Sequence, residues 1–324
     1  MKKMFASPSA VMVLVVLVAA FLRFYNLTSV PPALYSDEAF EGYDAARIAQ
    51  TGYMPVFFAG NNGREPLMLY LQAIGIAWWG VHPWVLRVVP GIVGLLAVAV
   101  IYRVARELFS NNKRATWIGV LAAGMLAVSF WDLSLSRFSV RAISLLLLST
   151  LTMWAFWRAW KNLRLIDFAL SGVLLGLTLY THIPSRVVPL VLLCFLIWIT
   201  VISGLPFASK IDKDYRRVWL GAVILFACML IVFAPLGLYF YQNPGAFLQR
   251  TSDTSIFSGG LSGTLTNLSS NAIKVVWMFV DQGDSNPRHN IPGRPALELL
   301  TMLGFWIGIV IALRNFTKPA YFFV

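Results

Sequence analysis

Carboxylates are scarce in this chain: 14 of its 324 residues are Asp or Glu, against 26 Lys or Arg. Charged residues make up only 12% of the sequence and hydrophobic residues 58%. A soluble globular domain carries about 25% charged residues, so this class is excluded. Cysteine is almost absent too. Cys194 and Cys228 both lie inside apolar segments without CxxC or Cys/His spacing, which leaves no basis for a disulfide framework or a zinc site.

Long apolar runs dominate what remains, and many approach the length of about 20 residues that a helix needs to cross a bilayer. The net charge of +12 would suggest nucleic acid as the partner of a soluble domain. Here the positive residues lie mostly in short loops between apolar runs, which indicates orientation in a membrane and argues against a nucleic-acid partner. The sequence therefore predicts an all-α, polytopic transmembrane helical bundle in the cell membrane, surrounded by membrane lipids.

The positions of the basic loops indicate the direction in which each span crosses the membrane. We predict spans at about residues 7–27, 84–108, 115–131, 140–160, 165–182, 184–203, 217–241 and 295–313, with outer loops at 28–83 and 242–294. The N-terminus is then cytoplasmic, and the first span is a retained helix rather than a cleaved signal peptide. The segment from Pro66 to His82 is expected to lie along the outer leaflet, because a crossing there would place the later basic loops outside.

Two further expectations concern the second half of the chain. The stretch from Ser252 to Ser270 is rich in Ser, Gly and Thr, which is typical of a flexible loop. A further span is expected to begin near Pro319, but its apolar run stops after a few residues at Val324, which is too short to cross a bilayer. We therefore expect the 324-residue sequence to be C-terminally truncated.

The scarce acids are concentrated after the first span. Asp37, Glu38, Glu41 and Asp44 fall within eight residues and follow Ser36, a residue that favours a helix N-cap. Acids in a first turn complement the helix dipole, and at helical spacing Asp37, Glu41 and Asp44 share a face. A well-capped surface helix would explain this stretch as readily as a binding site for a cation. The rest of the outer surface decides between the two.

That surface is rich in arginine. Five arginines and a histidine fall on the predicted outer side: Arg137, Arg141, Arg186, Arg288, His289 and Arg294. Arginines at a bundle rim often reach only for lipid headgroups. Beside an acidic helix they also suit a phosphorylated lipid, because the guanidinium fork matches phosphate. We expect the carboxylates and these cations to meet in one extracytoplasmic cavity.

Several motifs resemble the protein O-mannosyltransferase and aminoarabinose transferase group, which are membrane glycosyltransferases of the GT-C class (glycosyltransferase family 39-like). The resemblance spans nearly the whole chain and rests on the order of its motifs. These are Asp37-Glu38, Gly63-Arg64-Glu65-Pro66-Leu67, Leu86-Arg87-Val88-Val89-Pro90-Gly91, Ser136-Arg137-Phe138, Tyr180-Thr181-His182-Ile183-Pro184-Ser185-Arg186 and Asn286-Pro287-Arg288-His289-Asn290.

The resemblance implies sugar transfer, with inversion, from a polyprenyl-phosphate-linked donor to a hydroxyl or phosphate of a protein, lipid or glycan acceptor. By the match, Asp37 and Glu38 are the candidate catalytic acids: Asp37 as the base or as the acid that orients the acceptor, and Glu38 as a ligand of a metal ion or a support for such a ligand. Asp37, Glu38 and Glu65 together are candidate ligands of a divalent metal. The implied phosphate-binding residues are Arg137, Arg141, Arg186, Arg288 and His289, and the implied substrate-binding residues are Arg64, Glu65, Tyr70, His182 and Arg294.

The sequence departs from the group in one place. Some members carry an acid in the span after the third outer loop, where this chain reads Val140-Arg141-Ala142-Ile143-Ser144. Asp132 either substitutes for that acid or pairs with Arg137 or Arg141. Two other functions stay open: a transporter or flippase for a lipid-linked or small solute, and a non-catalytic assembly subunit. The acids cluster in an outer loop and not within the spans, which favours surface chemistry over transport.

Overall fold

The computed structural model describes residues 7–204, 214–247, 260–287 and 290–324. Within these ranges the protein is all α, and its only ladder pairing is an isolated antiparallel bridge between Phe58 and Arg64. The predicted fold class is therefore confirmed.

Twelve α-helices make up the described part of the chain. They are α1 (Pro8–Phe24), α2 (Ser36–Thr51), α3 (Leu67–Trp79), α4 (Pro83–Leu108), α5 (Ala115–Val128), α6 (Phe130–Arg137), α7 (Ala142–Asn162), α8 (Leu165–Thr178), α9 (Val188–Ser203), α10 (Tyr215–Gln242), α11 (Gly260–Val280) and α12 (Leu299–Arg314). Short 3₁₀ helices cover Ile183–Val187, directly before α9, and Pro319–Phe323.

Each predicted span coincides with a helix, but the helices differ in length. Among the described residues, four helices are long and apolar enough to cross a membrane: α4, α7, the continuous segment Ile183–Ser203 and α10. The α5–α6 pair is bent by 57° and counts as a fifth if it is one broken span. Three predicted spans are shorter, since α1, α8 and α12 have 17, 14 and 16 residues. The protein is a multi-pass membrane protein.

The segment from Pro66 to His82 forms the 13-residue helix α3, about 20 Å long and shorter than a bilayer core. Its apolar side packs on α2 and on the start of α4, where Leu69, Ala73 and Ile76 are buried. This packing fixes α3 beside the acidic helix, which is the element that it must support.

The main hydrophobic core lies elsewhere, where α8 is packed between α7 and α10. Glycine permits the close approach. A Cβ on Gly172 would overlap the backbone carbonyl oxygen of Leu225, and one on Gly176 would lie 2.6 Å from Cβ of Val232. The last residues join this core, since the Phe323 and Phe195 rings stack with centroids 4.8 Å apart.

Three local expectations need correction. The helix α2 begins at Ser36 itself, and Tyr35 takes the N-cap position in extended conformation. Residues 260–270, predicted as a flexible loop, are helical in α11, because the apolar positions that continue to Val280 extend the helix over them; residues 252–259 lie outside the described part. Pro319–Phe323 forms a 3₁₀ helix rather than the first turn of a span.

Candidate active site

The four acids of α2 point to four different partners on other elements. Asn61 donates to Asp37, Arg87 pairs with Glu38, Arg141 pairs with Glu41, and Arg64 pairs with Asp44. Because these partners come from the following loop, from α4 and from the start of α7, the acidic helix joins the outer elements into one unit. A solvated surface helix, the alternative interpretation of this stretch, is therefore wrong.

Glu38 is held most completely. Its Oε1 accepts a hydrogen bond from Nε of Arg87 at 3.1 Å, and its Oε2 accepts from Nη2 of Arg87 at 3.1 Å and from the backbone N–H of Tyr35 at 2.9 Å. The other nitrogen of Arg87, Nη1, donates to the carbonyl of Pro31 at 2.7 Å. Both side chains are almost fully buried. This bidentate pair fixes the first turn of α2 against α4, and it occupies both oxygens of the predicted second catalytic acid.

A tight turn after α2 presents Asn61. Phe58 and Arg64 exchange both backbone hydrogen bonds, at 3.0 and 2.8 Å, and the chain reverses through Asn61, Asn62 and Gly63, all with positive φ. Asparagine and glycine tolerate this conformation better than other residues. The turn brings Nδ2 of Asn61 to 3.0 Å from Oδ1 of Asp37, so the half-buried carboxylate of Asp37 has a fixed direction.

Arg141 lies between two carboxylates. Its Nε is 2.8 Å from Oε1 of Glu41, and its Nη1 is 3.2 Å from Oε2 of Glu65. All three side chains are buried. Ser139, two residues earlier, has a φ of 54° and receives a hydrogen bond of 2.6 Å from Gln72 of α3. The α6–α7 connection is thus anchored on α3, and this anchor carries Arg141 to the acidic helix.

These groups surround a cavity of about 340 Å³. Its wall is formed by residues of α2, of the Asn61 turn, of α6 and the start of α7, and of the loops around residues 182 and 284. The polar residues among them are Asp37, Glu38, Glu41, Asn61, Asn62, Ser139, Arg141, His182 and Asp284. Asp37 and Arg141 therefore line the same cavity.

Glu41 is the acid with the most unusual environment. Burial raises its pKa from 4.5 to about 7, against the opposing pull of Arg141 and then Arg64, while Asp37 adds to the rise. Its Oε2 is buried and accepts no hydrogen bond from the described residues. A carboxyl group on a cavity wall whose pKa is close to neutral pH can either accept or donate a proton. Glu41 was predicted to lie on the acidic face of the helix but was not among the predicted site residues.

The predicted cations are divided by the structure. Arg141 and His182 line the cavity, whereas Arg137 does not. The Arg137 guanidinium donates to backbone carbonyls of Leu22, Tyr25 and Val30 at 2.7, 2.9 and 2.7 Å. It satisfies carbonyls that the end of α1 leaves without helical partners, which is a structural task.

The remaining predicted residues lie around the cavity rather than in its wall. Arg186 donates to the carbonyl of Phe247 at 3.2 Å and covers its ring, Tyr70 donates to the carbonyl of Pro55 at 2.6 Å, and the Arg294 guanidinium lies 6.0 Å from the Phe130 ring centre. Arg64 faces a separate cavity of about 440 Å³ on the other side of α2. Arg288 and His289 lie outside the described residues.

The predicted metal ligands do not assemble. In the described part of the chain, no group of three or more His, Cys, Asp or Glu side chains is arranged to hold a metal ion. Glu38 is committed to Arg87, and Glu65 has one oxygen on Arg141, so the grouping of Asp37, Glu38 and Glu65 is not found. The residues present do not fit a divalent ion without losing these arginine partners.

A further buried ion pair, at the bend between α5 and α6, joins Arg23 of α1 to Asp132. Of the two roles left open for Asp132, the pairing with Arg137 or Arg141 is therefore wrong. The Arg23 guanidinium also donates to the carbonyls of Ala19 and Ala127, at 3.1 and 3.3 Å. Together with the Asp132 pair, these bonds connect α1 to both α5 and α6. A separation of 109 residues between the partners gives no local sequence signal.

The family model described as dolichyl-phosphate-mannose-protein mannosyltransferase matches residues 63–239, more than half of the chain. The chain belongs to this family. The matched region contains Glu65, Arg87 and Arg141, and the acidic helix precedes it. No protein of curated function matches the chain.

Solved structures agree with the family. The oligosaccharyltransferase of Archaeoglobus fulgidus in its apo form matches with a TM-score of 0.61 and 20% identity, over 99% of this chain and 46% of that one. The S. cerevisiae protein O-mannosyltransferase Pmt1–Pmt2 complex, bound to the sugar donor, matches with a TM-score of 0.55 and 17% identity, over 76% and 35%. ArnT from Cupriavidus metallidurans, bound to undecaprenyl phosphate, matches with a TM-score of 0.53 and 16% identity, over 97% and 56%.

These likenesses establish the GT-C fold that the motif order implied. The chain spans between about a third and just over half of the length of these three proteins.

Proposed function

We propose that the protein transfers a sugar from a polyprenyl-phosphate-linked donor to a hydroxyl or phosphate oxygen of an acceptor, with inversion at the anomeric carbon. Family membership supports a glycosyl transfer, and two proteins with the same fold were solved with a sugar donor or with undecaprenyl phosphate. The observation that carries the proposal is the cavity in which the carboxylates of Asp37 and Glu41 face the guanidinium of Arg141.

The chemistry asks for a carboxylate and a cation. The acceptor oxygen bonds to the anomeric carbon while the bond from that carbon to the phosphate oxygen breaks, and polyprenyl phosphate leaves. A base must take the proton of an acceptor hydroxyl, and cations must stabilise the charge that develops on the phosphate. Asp37 is the proposed base: it lines the cavity, and the hydrogen bond from Asn61 fixes the direction of its carboxylate.

Arg141 is the proposed phosphate contact in the described part of the site. Arg141 lines the cavity. Its Nε is held by Glu41 and its Nη1 by Glu65, and these two contacts fix the orientation of the guanidinium. Arg288 and His289 complete the phosphate end in this proposal, and His182 belongs to the same wall. Each step above uses side chains of the protein alone, with no metal ion.

The site is proposed to lie at the extracytoplasmic face. Lys113, Arg158 and Lys161 lie around the far end of α4, away from the acidic helix. Since basic loops tend to stay in the cytoplasm, this arrangement supports an extracytoplasmic position for the acidic helix. The acceptor, whether protein, lipid or glycan, would approach from that side.

A transfer assay with the full chain in detergent or liposomes tests the proposal. A radiolabelled polyprenyl-phosphate sugar is the donor, and Asp37→Asn is the decisive variant. We expect turnover to fall about 10²- to 10⁴-fold, the contribution typical of general acid–base catalysis. The matched control is Asp281→Asn, which removes an exposed carboxylate that does not line the cavity. Equal activity of Asp37→Asn and the wild type would remove Asp37 as the base.

A further inference from the structure

The bundle carries a second polar cavity at the opposite end from the acidic helix. The helix α4 starts beside the Glu38–Arg87 pair and runs for 26 residues, about 39 Å. At its far end, a cavity of about 540 Å³ opens between the end of α4, the start of α5 and the end of α7. The distance places this cavity outside the proposed transfer site.

Five cations line this cavity: Arg103, Arg106, Lys113, Arg158 and Lys161. Two acids offset part of this positive charge. Oε1 of Glu107 lies 3.0 Å from Nε of Arg103, and Oδ1 of Asp167 lies 2.9 Å from Nη2 of Arg158. Arg106 and Lys113 form no salt bridge with any residue in the described ranges. Five positive charges against two negative ones leave a net charge of about +3 in one concave site.

Hydrogen bonds between helices hold the walls of the cavity in place. Trp157 of α7 donates through Nε1 to the carbonyl of Glu107 at 3.1 Å, which ties α7 to the end of α4. Nζ of Lys161 donates to Oγ of Ser110 at 3.0 Å across the same gap. Four of the five cations are exposed to solvent, but all five line one common space between three helices.

An adjoining cavity of about 790 Å³ differs in character. It shares Lys113 and Lys161 with the first, but its other walls include Phe109, Trp157, Trp160 and Tyr321. Aromatic side chains of this kind mark the level of lipid headgroups in membrane proteins. A cationic cavity that continues into an aromatic one matches a ligand with an anionic head and an apolar body.

We propose that this pair of cavities binds an anionic phospholipid, with the phosphodiester among Arg106, Lys113 and Lys161 and the glycerol and upper acyl chains against Trp157 and Trp160. Arginine and lysine bind phosphate oxygens through charge-assisted hydrogen bonds, and basic pockets between transmembrane helices bind anionic headgroups. The site is independent of sugar transfer.

The test uses the full chain in phosphatidylcholine nanodiscs, with phosphatidylglycerol added in increasing fractions and bound lipid counted by native mass spectrometry. The double variant Arg106→Gln with Lys113→Gln is expected to weaken phosphatidylglycerol binding about 30-fold, roughly fivefold for each cation. Arg106→Lys with Lys113→Arg keeps both charges and should bind like the wild type. Arg47→Gln with Lys274→Gln removes the same charge at exposed positions elsewhere and should also bind normally.

Three results would overturn the proposal. Equal losses in the double variant and in the Arg47/Lys274 control would show a general effect of net charge. Retention of phosphatidylcholine as tightly as phosphatidylglycerol would show a site without charge recognition. Binding of soluble glycerol 3-phosphate as tightly as the lipid would identify a soluble anion as the ligand. Sugar transfer by the double variant should match the wild type, so this test stands apart from that of Asp37.

Discussion

Glu41→Gln gives the sharpest physical test of the site, because the amide copies the neutral acid in shape and leaves no charge to bury. In the folded protein, burial raises the pKa of Glu41 from 4.5 to about 7. Below pH 4.5 the carboxyl is neutral in both folded and unfolded chains, so it contributes no pH-dependent term. As pH rises from 4.5 towards 7, the unfolded chain releases its proton first, and the wild type loses stability.

The magnitude follows from the same two values. At about 1.4 kcal/mol for each pH unit between 4.5 and about 7, the ionised Glu41 costs the wild type about 3 kcal/mol above pH 7. The charged groups that act on Glu41 are Arg141, Arg64 and Asp37, and their effects are included in that pKa. Relative to the wild type, Glu41→Gln should therefore gain stability between pH 4.5 and 7 and keep a constant advantage above that range.

Thermal unfolding in detergent at half-unit steps from pH 4.5 to 9 measures this difference, and several degrees are expected at the upper end. Glu107→Gln, which removes a carboxylate at the other end of the bundle, reports any general effect of losing a negative charge. A difference between Glu41→Gln and the wild type that stays flat with pH, or that falls as pH rises, would refute the reasoning. It would show that Arg141 keeps Glu41 ionised and that the ion pair outweighs burial.

Two structural predictions use the same unfolding assay. Arg87→Ala should destabilise the protein by about 3–5 kcal/mol, because it leaves Glu38 buried without its cation. Adding Glu38→Gln to this variant should recover much of the lost stability. A small cost for Arg87→Ala alone would contradict the structural role of the ion pair. Gly172→Ala should lower the stability by about 1–3 kcal/mol, since the new Cβ would overlap the carbonyl of Leu225. The Cβ of the control variant Gly308→Ala meets nothing within 4 Å, so this variant should be as stable as the wild type or more stable. Equal effects of the two substitutions would show that α8 and α10 can move apart.

Features encoded locally could be predicted from the sequence. The acidic helix, the membrane-embedded α-helices and the short helix α3 follow from cap residues, apolar runs and basic loops, each of which acts over a few turns. Motif order added the GT-C fold. Residues 260–270 were assigned wrongly because the low helix propensity of their serine and glycine residues, about 1 kcal/mol for each glycine, is outweighed by the apolar continuation to Val280.

Partner choice among buried charges could not be predicted. Arg23 and Asp132 are 109 residues apart, and Arg87 and Glu38 are 49 apart, so nothing in the local sequence connects them. A buried charge must be paired, but the sequence does not say with which group. Arg23 and Arg87 were overlooked as anchors for this reason, and Arg137 was assigned to phosphate although its task is to satisfy carbonyls after α1.

The division of the arginines also bears on the proposed phosphate contact. Arg87 has every nitrogen directed at Glu38 or at a backbone carbonyl, and Arg64 is tied to Asp44 and Gly60. These two fix the walls of the site and face away from a ligand. Arg141 instead shares one guanidinium between Glu41, which lines the cavity, and Glu65. Because burial raises the pKa of Glu41 to about 7, this carboxyl group is partly protonated near neutral pH. When Glu41 is protonated, it no longer offsets the positive charge of Arg141, which would strengthen the attraction between Arg141 and a phosphate in the proposed function. The ion pairs of Arg64 and Arg87 do not involve Glu41, so its protonation acts on Arg141.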